Sequence, residues 1–362
     1  MYFEGLTTRT VDANGKEQKS IANVGGGVAQ SRDHDGYGQN FDHNAFGVAL
    51  RVIDTAGATL QSNTIENVGL KTAATDADRG AWSYVYNSLG EMTSHTDALP
   101  ITVTYAYDLL GRMTQRVEPI PSQGANTLTS TWVYGVAADN TASNKYIGRL
   151  KSQAVTSTSQ GLSSDYNETF TYDQYARPMQ TKYRDVQAST DYYVDREYQS
   201  STGYLDNLRY PDSNGVRVRL KYEYENGELK RIKDFDNTSL TFWEAIANNA
   251  RGQNIEEQNG NNVKTVMGFD EVTGRMDYIQ SGVWGGTGLQ NLAYQWDKVG
   301  NLTQRQDNNW PGLSENFYYD NLYRLDHSTL NGTTNLDMQY QANGNIDYKS
   351  DACERWSEPA SF

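Results

Sequence analysis

The stretch Tyr105-Ala106-Tyr107-Asp108-Leu109-Leu110-Gly111-Arg112-Met113 decides how this chain is read. Aromatics at i and i+2 lie on the same face of an extended strand. Asp108 opens a tight turn, where its carboxylate accepts from backbone N–H groups. Gly111 closes that turn, at a place where positive φ is commonly needed and glycine adopts it cheaply. Met113 and Val117 are an even number of residues apart and share one face of the returning strand. The stretch is therefore predicted to be a β-hairpin.

The pattern recurs as Tyr84-Val85-Tyr86-Asn87-Ser88-Leu89-Gly90 and as Phe170-Thr171-Tyr172-Asp173-Gln174-Tyr175-Ala176-Arg177. It recurs again as Tyr294-Gln295-Trp296-Asp297-Lys298-Val299-Gly300 and as Phe317-Tyr318-Tyr319-Asp320-Asn321-Leu322-Tyr323-Arg324. Looser copies centre on Gly148, Gly203, Gly227, Gly252, Gly274-Arg275-Met276 and Gly344. Nine of the eleven landmark residues are glycine; Ala176 and Tyr323 are the others. The shortest intervals, 90 to 111 and 323 to 344, are 21 residues. That length suits two strands of about six residues, a turn of about four and a connection of about five. Hairpin turns are predicted at 87–90, 108–111, 173–176, 297–300 and 320–323, and a strand rather than a helix over Phe242–Ala250. A lone hairpin is marginal in water, but stacked units bury each tyrosine pair against their neighbours. The predicted fold is all-β, an array of hairpins in one large curved antiparallel sheet. Residues 81–350 form the repeat array. Residues 1–80 carry degenerate copies such as Phe3-Glu4-Gly5-Leu6 and Phe41-Asp42-His43-Asn44-Ala45-Phe46-Gly47, and 351–362 an irregular tail.

Composition agrees. The 362 residues include 26 Tyr, 9 Phe and 7 Trp, a mix suited to half-buried surfaces, because tyrosine buries its ring and keeps its hydroxyl wet. Counted with Gly in place of Tyr, the apolar share is about 39% against a usual ~45–50%, so no thick core is expected. Aromatics at 12% also exclude a disordered chain. The net charge of −14 argues against nucleic acid and against anionic membranes, both of which need basic patches. No apolar run is long enough to span a bilayer, and the opening residues carry no signal-peptide pattern. The single cysteine, Cys353, has no partner for an internal disulfide.

The motif Tyr-x-Tyr-Asp-x-x-Gly-Arg-Met and its copies, over roughly 84–350, resemble the YD repeats of the RHS family, which includes the C components of Tc toxins and the shells of teneurins. The resemblance implies a long β-sheet that spirals into a hollow shell. In bacterial members the shell holds a toxic C-terminal segment exported for competition or virulence. This sequence has no Asp-Pro pair, so the family's autoproteolysis is not carried over, and no toxin-like stretch follows its last repeat. On the resemblance the chain is a piece of shell wall. The repeat residues expected to build it are Tyr84, Tyr86, Gly90, Tyr105, Tyr107, Asp108, Gly111, Arg112, Tyr172, Asp173, Gly274, Arg275, Trp296, Asp297, Gly300, Tyr319, Asp320 and Arg324.

Catalytic and cofactor patterns are weak. The richest ligand cluster is Asp33-His34-Asp35-Gly36-Tyr37-Gly38 with Asp42-His43. Asp33, Asp35 and Gly38 fit positions 1, 3 and 6 of a calcium loop, but Tyr37 and Asn44 stand where further ligands belong. His34 and His43 could serve zinc, yet no cysteine or third histidine is near. A polar turn is the simpler reading. No phosphate-binding loop or nucleophile elbow is present, and Gly285–Gly288 reads as a loop. Glu256-Glu257 has nothing to fix a catalytic spacing, and Cys353 has no placed histidine partner. The arginine after the landmark, as at Arg112, Arg149 and Arg275, is expected to pair with the turn aspartate. Neither catalysis nor a cofactor is expected. The leading reading is a structural wall that encloses or presents a toxin polypeptide, with partners in cis or among secretion and toxin components. The alternative is an extracellular adhesion or carbohydrate-binding module whose aromatics stack on sugars. Either role places the chain outside the cell or on its surface after specialised export. Self-association through unpaired sheet edges is also expected.

Overall fold

The computed structural model describes residues 1–124, 126–158, 166–186, 188–310, 312–341 and 344–351. The expected irregular tail, Cys353 included, lies outside them apart from Asp351. The described residues form thirty β-strands and two short 3-10 segments, Pro121–Gln123 and Ala137–Asp139. The fold is all-β, and the strand expected near 242–250 is present as Thr241–Asn248. No helix among the described residues is long and apolar enough to cross a membrane. The chain divides into two compact units, one of Met1–Ser62 with Trp243–Phe362 and one of Asn63–Phe242.

The thirty strands make an antiparallel sheet that is not closed into a barrel. Among the described residues, Tyr2–Glu4 pairs only with Thr7–Val11, and Ile346–Lys349 only with Thr333–Tyr340. Hairpins precede residue 80 as well as follow it: Gly38–His43 pairs with Ala49–Asp54 just as Thr102–Tyr107 pairs with Met113–Pro119.

The interior is thin, as the composition requires. Among the described residues few apolar side chains are buried; they are Ala74, Val103, Tyr172, Ala245 and Met338. Accessible surface totals 22467 Å². A protein of this mass folded around one core would expose about 15,000 Å². The excess agrees with how few apolar side chains are buried among the described residues. Stability in such a sheet must come from strand pairing and cross-strand side chains rather than from a deep core.

One hairpin shows the local rule. Thr104 faces Val117 and Ala106 faces Gln115, but Tyr107 then faces Met113, so Thr114 is an extra residue. This β-bulge tightens the twist where the strand enters its turn. The same one-residue slip occurs at Tyr86/Met92, Tyr172/Pro178, Trp296/Leu302 and Tyr319/Leu325. It occurs also at Ala22/Val28 and His43/Ala49, where the aromatic is missing.

Candidate functional site

The turn comes first. The Asp108 backbone N–H donates to the Arg112 carbonyl at 2.9 Å, and the Gly111 N–H donates to the Asp108 carbonyl at 3.0 Å. Asp108 Oδ1 accepts from the N–H groups of Leu110 and Arg112. Every landmark residue from 90 to 344 has positive φ, including Ala176 at 60° and Tyr323 at 64°. Ala176 makes the same turn bond, to the Asp173 carbonyl at 3.0 Å. The five predicted turns are therefore present where the Asp/Asn-x-x-landmark spacing put them.

The second oxygen of the turn aspartate holds the arginine. Asp108 Oδ2 accepts from Arg112 Nε at 2.7 Å and Nη2 at 2.6 Å, a forked pair that fixes the guanidinium plane. Asp173 with Arg177 repeats this fork, and Arg324 Nε donates to Asp320 Oδ2 at 2.6 Å. The Arg112 hydrogen bond holds the Asp108 carboxyl below the usual carboxylate range, against a smaller opposing effect of burial. At Asp173 and Asp320 burial is the largest single influence and pushes upward. The bonds and charge of the arginine, with the backbone N–H of Tyr175 or Leu322, together outweigh it, so both carboxyls end low. The expected pairing fails at Arg149 and Arg275. Three residues before Gly148 stands Lys145, not an aspartate. Asp270 stands four before Gly274, and Arg275 reaches forward instead, donating from Nη1 to the Asp297 carbonyl at 2.7 Å. A Cβ on Gly300 would lie 2.7 Å from Arg275 Nη2, so the missing side chain makes room for that arginine.

In the five close copies and in two looser ones, the second aromatic has the same kind of partner. The Tyr107 hydroxyl donates to the Met92 carbonyl at 2.8 Å, and Met92 is two residues past the preceding landmark. Tyr86 donates to the Lys71 carbonyl, Tyr172 to Leu150, Tyr198 to Pro178, Tyr319 to Leu302 and Tyr340 to Leu325, all at 2.7–2.9 Å. Trp296 Nε1 does the same to the Met276 carbonyl at 2.7 Å. Met92, Leu150, Pro178, Met276, Leu302 and Leu325 lie beside bulges, where a strand carbonyl has room for another donor. Burial raises the pKa of Tyr86, Tyr107, Tyr172, Tyr198, Tyr319 and Tyr340, so each stays a neutral donor. The turn arginine then stacks on the next ladder ring: Arg112 on Tyr134, Arg177 on Tyr198 and Arg324 on Tyr340, at 4.3–4.4 Å from the centroids. The motifs at Asp108, Asp173 and Asp320 thus close their own turns with Asp and Arg and tie themselves to their neighbours with Tyr and Arg. Of the first aromatics, Tyr105 bonds His95 Nδ1 at 3.0 Å, while Tyr84 stacks under Lys71.

A second row of turns includes the polar turn expected at Asp33–Gly38 and two more that the sequence reading did not place. Asp12, Asp33 and Asp54 accept at their carbonyls from the N–H groups of Gly15, Gly36 and Gly57, at the opposite ends of the hairpins. Within the unit of Met1–Ser62 and Trp243–Phe362, two of these turns meet landmark turns far along the chain. Asn14 Nδ2 donates to Asp297 Oδ2 at 3.0 Å, and Lys16 Nζ to the Asp320 carbonyl at 2.7 Å. The Tyr323 hydroxyl donates to Asp12 Oδ2 at 2.5 Å, and Asn321 Nδ2 to Asp35 Oδ1 at 3.0 Å. Lys16 Nζ lies 4.1 Å from the centroid of the Tyr323 ring.

The ligand candidates serve turns. Asp33 Oδ1 accepts from the Asp35 N–H, His34 Nδ1 accepts from the Glu17 N–H at 3.0 Å, and Asp35 takes part in the contact just described. His43 stands beside Phe41 on its strand. Among the described residues no three His, Cys, Asp or Glu side chains come together around a metal position. Glu256 pairs with Lys264, while Glu257 accepts from Trp243 Nε1, so this neighbouring pair is used on separate partners.

No protein-family model matches the chain, and no curated protein matches it. Solved structures do. A mutant Tc holotoxin pore of Photorhabdus luminescens is similar at 14% identity and a TM-score of 0.72, over 94% of this chain and 19% of that one. TcdB2-TccC3 without its hypervariable C-terminal region is similar at 15% identity and a TM-score of 0.65, over 96% of this chain and 20% of that one. TcdB2-TccC3 is similar at 14% and 0.64, over 96% and 20%. This chain thus spans about a fifth of the length of the chains it matches, and what it shares with them is the fold, an RHS-like antiparallel array of hairpins.

Proposed function

We propose that this chain is a length of container wall that encloses or presents a toxin polypeptide in bacterial competition or virulence. The tyrosine ladder carries this reading. Seven aromatic donors, six hydroxyls and one indole N–H, are spent on main-chain carbonyls of the preceding hairpin, an arrangement that ties each hairpin to the one before it and commits those donors to the wall. Similarity of fold to TccC3-containing toxin structures supports the same reading. The wall acts by enclosure and not by catalysis, outside the producing cell after specialised export. Its partner is a toxin segment or further wall in cis, or a component of the toxin or secretion machinery.

Adhesion to sugars is the second reading, and one observation favours it: Trp284 and Trp310 are 77% and 70% exposed. Exposed indoles stack on sugar rings. The two readings separate in one pair of experiments. The chain is expressed with the polypeptide encoded beside it and treated with protease. Enclosure predicts that the polypeptide stays intact at protease levels that degrade it when free. A glycan array on which retention disappears with Trp284→Ala or Trp310→Ala, together with a polypeptide cleaved at its free rate, would replace the wall by an adhesin.

A further inference from the structure

Tyr323 occupies a place where glycine is the rule. Its backbone sits at φ 64°, a region that a bulky side chain adopts only under strain. Nothing in its own hairpin asks for the ring. The Tyr323 N–H donates to the Asp320 carbonyl at 3.1 Å, and Gly111 and Ala176 make the same bond in their turns at 3.0 Å without a large side chain. What the tyrosine adds lies across the contact with the first hairpins. Its hydroxyl bonds Asp12, its ring lies under Lys16, and Lys16 bonds the carbonyl of Asp320 in the same turn. Asn14 and Asn321 flank this centre, on Asp297 and Asp35. The groups facing Tyr323 are thus Asp12, Asn14 and Lys16 from one side and Asp297 from its own.

The construction of this contact matters. Backbone bonds stay inside each turn, Asp12 to Lys16 on one side and Asp320 to Arg324 on the other. Between the two rows the bonds run through polar side chains at a wet surface. Such joints are individually weak and reversible, unlike strand ladders. They part without breaking a hairpin on either side.

We infer that the turns at 12–16 and 33–36 form a flap docked on the turns at 297–301 and 320–324, and that Tyr323 is its latch. The flap opens by separating the two rows of turns while every hairpin stays paired. This inference stands on the contact itself and is independent of what the wall encloses.

The test uses the full chain with Cys353→Ser and spin labels on Ala13→Cys and Lys298→Cys, both exposed and neither a donor nor an acceptor in the contact. Pulsed electron resonance should give one short, narrow distance for the otherwise unchanged protein. Tyr323→Gly keeps the positive φ without strain and removes ring and hydroxyl together. It should move the open fraction upward by roughly 10-fold or more, given the weight of a bond to a charged acceptor. Tyr323→Phe keeps the ring under Lys16 and should open the flap less. Hydrogen exchange of Asn316–Tyr319 and Leu325–Thr329 should stay as protected in both variants as in the parent. An unchanged distance in Tyr323→Gly overturns the latch. So does faster exchange in its own hairpin with the distance unmoved, because Tyr323 would then be a local structural residue.

Discussion

In the hairpin that turns at Asn44–Gly47, the residue before the turn is His43; in the hairpin that turns at Asp108–Gly111, it is Tyr107. The turns themselves are alike. Asn44 Oδ1 accepts from the N–H groups of Phe46 and Val48, as Asp108 Oδ1 does from Leu110 and Arg112. Both strands carry the same bulge. The difference is the bond from Tyr107 to the hairpin before it, and the Arg112 fork. The turn is therefore enough to specify a hairpin, and the aromatic and the arginine specify how one hairpin is tied to the next. A wall can be assembled from turns alone, but the ladder makes its stability shared.

The largest expected effect separates the two regions. Tyr172 is 7% exposed and its hydroxyl is bonded, so Tyr172→Ala should cost about 3–5 kcal/mol. His43→Ala should cost about 1 kcal/mol, the ordinary value for a half-buried substitution. Urea unfolding measures both, and equal losses would break the comparison. The pattern can also be extended. In His43→Tyr the new hydroxyl would face the Val28 carbonyl, the position two past Gly26, and should gain about 1 kcal/mol; Tyr107→Phe should lose about as much.

The turn carboxylates predict a difference in acid. Asp108, Asp173 and Asp320 have lowered pKa values in the folded state. A lowered folded pKa stabilises above the unfolded value, near 3.9, and the benefit is lost as pH falls through the folded value. The turn at Asn44 carries an amide that does not titrate. Below about pH 4, exchange corrected for its intrinsic pH dependence should therefore rise at 108–112, 173–177 and 320–324 and not at 44–48. A uniform rise would show that the forks contribute nothing.

The smallest effect concerns the backbone. Ala176→Gly should stabilise by up to about 1 kcal/mol, because glycine reaches φ 60° without strain. Gly111→Ala should cost a similar amount, and thermal melts of the two variants should move in opposite directions.

How much of this was legible follows from which residues advertise themselves. The Tyr-x-Tyr-Asp-x-x-Gly spacing marks strand, turn and return together, so the hairpins from 84 onward could be read directly. The turns at Asp12–Gly15, Asp33–Gly36 and Asp54–Gly57 carry only the polar half of the signal. With no aromatic before them, the turns at 12–15 and 54–57 give no signal of their own, and only the polar turn at Asp33–Gly38 stands out. Their spacing of 21 residues, out of phase with the landmarks, was the available clue. Arginine pairing was expected from the type of residue but misplaced at Arg149, where a lysine stands in the aspartate's place, and at Arg275, where the aspartate is displaced by one residue. The contact from Tyr323 to Asp12 joins residues 311 apart, and no local pattern reports such a distance. Its only trace was a tyrosine in a glycine's place.

Native-state hydrogen exchange of Tyr107→Phe tests the central claim, that hairpins are tied through the tyrosine ladder, most directly. The variant keeps the ring and deletes one hydroxyl. The account predicts faster exchange in the preceding hairpin, over Met92–Thr96 and its partner Gly80–Tyr86, with the turn at 108–112 unchanged. Exchange altered only at residue 107 or within its own hairpin would contradict it.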